Sequence, residues 1–137
     1  AKDICGGFFF STINMKDINK YCSIETARLL FKLADYRGEW DWVKISTFNY
    51  KRLALLSDIQ SWFRKERGVH ILVRHPRGFH GEGMEFDKWC YDIIIRHPDI
   101  NNNWEGLNLS KSGIYDTYEE ALNEGIKDWI TTKIKWD

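Results

Sequence analysis

The strongest periodicity in the chain is near its C-terminal end. Tyr118, Ala121, Leu122, Ile126, Trp129, Ile130 and Ile134 recur at steps of three and four and predict a long helix with one buried face. Thr117-x-x-Glu120 starts it as a capping box, the threonine oxygen accepting from the backbone donor three residues on. Gly125 interrupts the apolar face, where glycine costs about 1 kcal/mol relative to alanine, so its presence predicts close packing on a sheet. A second helix is read from Leu55, Leu56, Ile59, Trp62 and Phe63 on one side and Asp58, Gln60, Arg64, Lys65 and Glu66 on the other, with Gly68 as its stop. A third is read earlier, from Ile24 to Tyr36, where Ile24, Ala27, Leu30, Phe31 and Ala34 share a stripe and Gly38 follows.

Between the later helices the period changes to two. Val69 to Arg74 is β-branched and apolar, and Pro76 closes it. Trp89 to Arg96 alternates Trp89, Tyr91, Ile93 and Ile95 on one face with Cys90, Asp92, Ile94 and Arg96 on the other. A weaker strand falls within Trp104 to Tyr115. Trp40, Trp42 and Ile45 suggest a short extended piece or loop, and the Ala1 to Tyr21 opening, which has no clean period, holds at most a short strand. These readings give an α+β fold: helix, three-stranded antiparallel sheet, helix, preceded by an extra N-terminal helix. The whole of 1–137 is read as one domain, with 1–50 as an N-terminal extension carrying one helix and 51–137 as an αβββα core.

The chain has 137 residues, 43% of them hydrophobic and only 2 of them proline, which suits one packed core and not a disordered segment. No apolar run approaches the roughly 18 residues a membrane span needs, and the opening lacks the basic start and apolar run of a signal peptide. Cys5, Cys22 and Cys90 are odd in number and widely spaced, which disfavours a disulfide framework and points to a reducing, cytoplasmic setting.

Charge changes the picture once it is divided by position. The totals cancel, with 20 Lys+Arg against 20 Asp+Glu. Residues 44–77, however, carry eight cations against two anions, while 78–137 carry six against twelve. A neutral protein can therefore present a local phosphate-attracting patch built from Lys51, Arg52, Arg64, Lys65, Arg67, Arg74 and Arg77. The competing expectation is that the basic and acidic thirds pair across the fold. Arg64, Lys65 and Arg67 also complement the negative end of their own helix.

Candidate chemistry is sparse. His70 and His75 lie on opposite faces of a strand, and no two-ligand histidine spacing joins them to His80 or His97, so no metal site and no cofactor is expected. His70, near Arg74 and Arg77, is the one fallback for acid/base catalysis. Gly78, Gly81 and Gly83 form no phosphate-binding motif. Of 7 tryptophans, Trp62, Trp89 and Trp129 fall on apolar faces, whereas Trp40, Trp42, Trp104 and Trp136 are read in loops or at the terminus, where an exposed indole can stack on a base or anchor a protein.

The segments Asp58 to Arg64, Gly68 to Ile71 and Tyr115 to Ile126 together resemble a group of short proteins of Bacteroidetes genomes, often in prophage or other mobile regions. The resemblance implies origin and fold, with no activity attached. Phe63 and Val69 stand where leucine and isoleucine are usual in that group. Gly68-Val69-His70 and Arg74 to Gly78 also resemble the strand and turn of HicA-type mRNA interferases, whose element order is that of double-stranded-RNA-binding domains, and Asp116 to Ala121 resembles a HicB-type helix start. The expectation from all of this is a non-enzymatic binding or adaptor module of a mobile element, with a protein or nucleic acid as partner and no membrane. The alternatives are a nucleic-acid-binding module using the basic 51–77 region and an RNA-cleaving enzyme using His70.

Overall fold

The computed structural model describes residues 15–76, 83, 86–95, 107–108 and 113–136. The protein is a mixed α+β fold with helices and two small antiparallel sheets. After a 3-10 turn at Met15–Lys20, helix α1 spans Ile24–Leu29 and widens into a π turn at Leu30–Ala34. Ser23 caps α1, its side chain accepting from the Thr26 N–H at 3.1 Å. The helix stops at Asp35, which adopts a left-handed conformation with φ 51°, and so ends before the Tyr36 and Gly38 boundary read from the sequence. An aspartate tolerates that conformation better than most side chains.

Strands β1 (Asp41–Ser46) and β2 (Asn49–Leu53) follow and form a hairpin. This is the main departure from the sequence reading. The piece around Trp40 to Ile45 is half of a separate two-stranded sheet, and β2 runs across residue 50, so a division at 50/51 cuts a strand. The turn residues Thr47 and Phe48 contain no glycine or asparagine, which is why the hairpin carries little signal. Helix α2 (Leu56–Trp62) continues as a π turn over Phe63–Arg67 and ends at Gly68, φ 65°, the left-handed cap expected of it.

Strands β3 (Val69–Arg74), β4 (Cys90–Ile95) and β5 (Leu107–Asn108) form the second sheet in that order. Their register sets Ile71 against Ile93 and Val73 against Tyr91 on one face, and His70 against Ile94 and Leu72 against Asp92 on the other. Tyr115 and Trp89 exchange two backbone hydrogen bonds at 2.8 and 2.9 Å beyond the strand ends. Helix α3 (Tyr118–Trp136) includes Trp136, which is therefore helical and not a loop residue.

All three helices reach one core. Ala27 of α1 and Leu30 of the turn that follows it, Ile59 of α2, Phe63, and Ile126 and Ile130 of α3 are buried with Val43 and Leu53 of the hairpin and with Val69, Ile71, Tyr91 and Ile93 of the larger sheet. Gly125 lies directly on that sheet. A Cβ there would come within 2.7 Å of Ile71 Cγ2 and 3.1 Å of the Tyr91 ring, which is the close packing its position in the helix implied. The face of the larger sheet bearing Ile71 and Tyr91 thus holds the helices, and His70, Leu72 and Arg74 point the other way.

Candidate functional site

The cations read from the sequence are divided among separate places. Arg74, on the sheet face away from the helices, is held by Asp92 across β4, with Nε to Oδ2 at 2.6 Å and Nη2 to Oδ1 at 3.4 Å. That pairing joins the basic third of the chain to its acidic third. Arg67 donates to the Ala34 carbonyl at 3.1 Å and lies 5.2 Å over the Trp62 ring, so it ties the end of the α2 turn to the end of the α1 turn. Lys65 shares a cleft with Glu39, Asp58 and Glu66, an acidic setting for a phosphate ligand. Arg64 is exposed on the same turn. Arg77 lies outside the described residues.

The remaining two stand on the hairpin but on opposite faces: Lys51 is in register with Val43, while Arg52 lies on the outer face, where the register creates a surface the linear sequence did not show. Trp42 pairs with Arg52 and Lys44 with Tyr50, which puts all four side chains on one face of the β1–β2 ribbon. The Arg52 guanidinium sits 5.8 Å over the Trp42 ring, within the range of a cation–π contact. Trp42 is 45% exposed and Phe48, in the turn, is 95% exposed. Val43, Ile45 and Leu53 hold the opposite side of the ribbon against the core. Neither Lys44, Lys51 nor Arg52 forms an ion pair with a described residue.

Lys44 and Tyr50 carry no signal of their own in the sequence. Their signal is the alternation Trp42-x-Lys44 and Tyr50-x-Arg52, which becomes legible only when the two segments are known to pair. Of the tryptophans proposed for partner contact, Trp40 is half-buried against the core with its ring edge-on to Tyr36 at 5.5 Å. Trp104 lies outside the described residues.

His70 is half-buried on β3, opposite Ile94. It shares a face with Arg74 about 13 Å along the strand, but that guanidinium is engaged by Asp92. His75 is the more constrained imidazole. Its Nδ1 lies 2.9 Å from the Lys88 carbonyl, and its ring packs 4.0 Å from Trp89 and edge-on to Phe86 at 5.2 Å. A backbone carbonyl can only accept, so Nδ1 carries the proton when the ring is neutral. Among the described residues no three His, Cys, Asp or Glu side chains converge on a metal-sized site, and no helix is long and apolar enough to cross a membrane. Cys22 and Cys90 are free, buried thiols.

No known protein family, curated protein or solved structure matches this chain.

Proposed function

We propose that the protein is a small, non-enzymatic binding module whose partner is single-stranded nucleic acid, bound on the outer face of the β1–β2 hairpin. The observation that carries this reading is the Arg52 guanidinium over the half-exposed Trp42 ring on a strand face that also bears Lys44 and Tyr50. Exposed aromatic rings interleaved with cations are what an unpaired strand needs, since bases stack on the rings and phosphates meet the charges. A duplex hides its base faces, so this surface favours unpaired bases. Kinship with short proteins of Bacteroidetes mobile elements, a cytoplasmic setting and a double-stranded-RNA-binding-like order of elements in 51–137 belong to the same proposal. The kinship rests on the Asp58 to Arg64, Gly68 to Ile71 and Tyr115 to Ile126 segments, the cytoplasmic setting on the odd, widely spaced Cys5, Cys22 and Cys90, and the order on the helix and strand patterning of 51–137.

The test is binding of a fluorescently labelled single strand of about ten nucleotides, within the usual range of site sizes, followed by anisotropy over increasing salt. Affinity is expected to fall steeply with salt, because contacts to phosphates release counterions. Trp42→Ala is expected to weaken binding by about 1–3 kcal/mol, the value of one base–aromatic stack. Affinity that is flat in salt, or identical in Trp42→Ala, would remove the reading.

A further inference from the structure

Beside the hairpin face, between it and α1, lies a cleft of about 250 Å³ lined by Ala27, Arg28, Phe31, Trp40 and Arg52. Two of its lining residues are aromatic, and Phe31 is 76% exposed although Ala27, Leu30 and Ala34 of the same helix stripe are buried. Two arginines, Arg28 and Arg52, line the cleft, and no carboxylate is among its lining residues. Arg28 has no ion-pair partner among the described residues, while the nearby Glu25 is engaged by Lys127 at 3.6 Å and Asp35 by Arg37 at 3.1 Å. Arg52 belongs to both places, since it lines the cleft and lies over Trp42 on the hairpin face. The cleft is therefore continuous with the surface proposed for the strand.

We infer that this cleft receives the terminal nucleotide of the bound strand and recognises a phosphate monoester at that end. The inference rests on the single-strand reading above and names which part of the strand is read. The volume is just below the roughly 300–1,000 Å³ of common small-molecule pockets, a size that suits one base. Phe31 and Trp40 offer aromatic surface on which that base can stack. The charge selects the end of the chain: an internal phosphodiester carries a single negative charge, whereas a monoester carries about −1.5 to −2 near neutral pH and offers three acceptor oxygens. Two arginines in one small cleft match the monoester, because each guanidinium presents a planar fork of donors.

The experiment compares three otherwise identical strands of about ten nucleotides, ending in a 5′-phosphate, a 3′-phosphate or hydroxyls at both ends. One phosphorylated strand is expected to bind about tenfold more tightly than the hydroxyl-ended one, the size of one charge-assisted hydrogen bond, and which one identifies the end that is read. Arg28→Ala should abolish this preference, whereas Phe31→Ala should weaken all three strands about 5- to 150-fold, the loss of one base–aromatic stack of about 1–3 kcal/mol. Both side chains are exposed, so the variants should fold, and circular dichroism checks that they do. Equal binding of all three strands, or a preference that survives Arg28→Ala, would overturn the inference while leaving the hairpin reading intact. Binding of a phosphorylated strand alone would overturn the hairpin reading and keep the cleft. No binding of any strand would overturn both.

Discussion

Asn123 of α3 holds the start of α1, one hundred residues earlier in the chain. Its Oδ1 accepts from the Ser23 N–H at 2.9 Å and its Nδ2 donates to Ser23 Oγ at 3.3 Å, while that same Oγ caps the helix through Thr26. The Cys22 N–H also donates to the Ala54 carbonyl at 2.9 Å. The N-terminal segment is thus part of the fold and not an appendage to it. A fragment of residues 51–137 is expected to lack a cooperative unfolding transition, since removing Ala27, Leu30 and Val43 exposes the core surface they cover. In the full chain Asn123→Ala should cost about 1 kcal/mol in urea denaturation. A fragment that unfolds cooperatively with native-like circular dichroism would refute this view of the fold.

Gly125→Ala sets two effects against each other. Alanine in a helix interior gains about 1 kcal/mol over glycine. The new methyl, however, must enter space occupied by Ile71 Cγ2 at 2.7 Å and the Tyr91 ring at 3.1 Å. Overpacking of that kind costs about 1–3 kcal/mol. The Tyr91 ring cannot easily yield, because its hydroxyl donates to Asp128 Oδ2 at 2.8 Å. A net loss of about 1 kcal/mol is expected by urea denaturation, and a more stable variant would mean that the sheet relaxes freely beneath α3.

These cases show where the sequence was legible. The start of α3 is local: the Glu120 N–H donates to Thr117 Oγ1 at 3.1 Å, as the capping box implies, and the alternation in 89–95 sorts Tyr91 and Ile93 inward with no knowledge of the partner strand. The hairpin face is not local. Trp42 meets Arg52 only because a short turn without glycine, and a register shift between Lys44 and Ser46, set which residues face each other. The charge count in 44–77 likewise located cations but not their partners. Arg67 and Arg74 are engaged by Ala34 and Asp92, groups distant in the chain, whereas Lys51 and Arg52 are not in ion pairs with described residues.

Stability should decline at alkaline pH. Burial pushes the Cys22 thiol from 9.0 up to about 11, and burial, followed by the Asp58 charge, pushes Tyr36 from 10.0 up to about 12. Both groups keep their protons to higher pH in the folded chain than in the unfolded one, so unfolding releases protons there. Their contribution is complete below about pH 9 and is lost as the pH rises toward 11 and then 12. The urea midpoint is expected to fall across that window, and Cys22→Ala should show a smaller fall between 9 and 11 whatever its starting stability. A wild-type midpoint that stays level from neutral pH to 11 would contradict this assignment.

Arg74 and Arg52 should behave differently even though both come from the same basic stretch. The Arg74 pair with Asp92 lies at the surface, with side-chain exposures of 46% and 13%. Arg74→Ala should therefore cost no more than about 1 kcal/mol of stability and leave strand affinity and its salt dependence unchanged. Arg52 has no ion-pair partner among the described residues, and its removal strips the cation that lies over the Trp42 ring. Arg52→Ala is expected to lower affinity and to reduce the slope of log affinity against log salt by about one, the loss of one phosphate contact. Anisotropy titrations of both variants at several salt concentrations decide the matter. The reverse pattern, with Arg74→Ala flattening the slope and Arg52→Ala silent, would move the binding surface from the hairpin to the open face of the larger sheet.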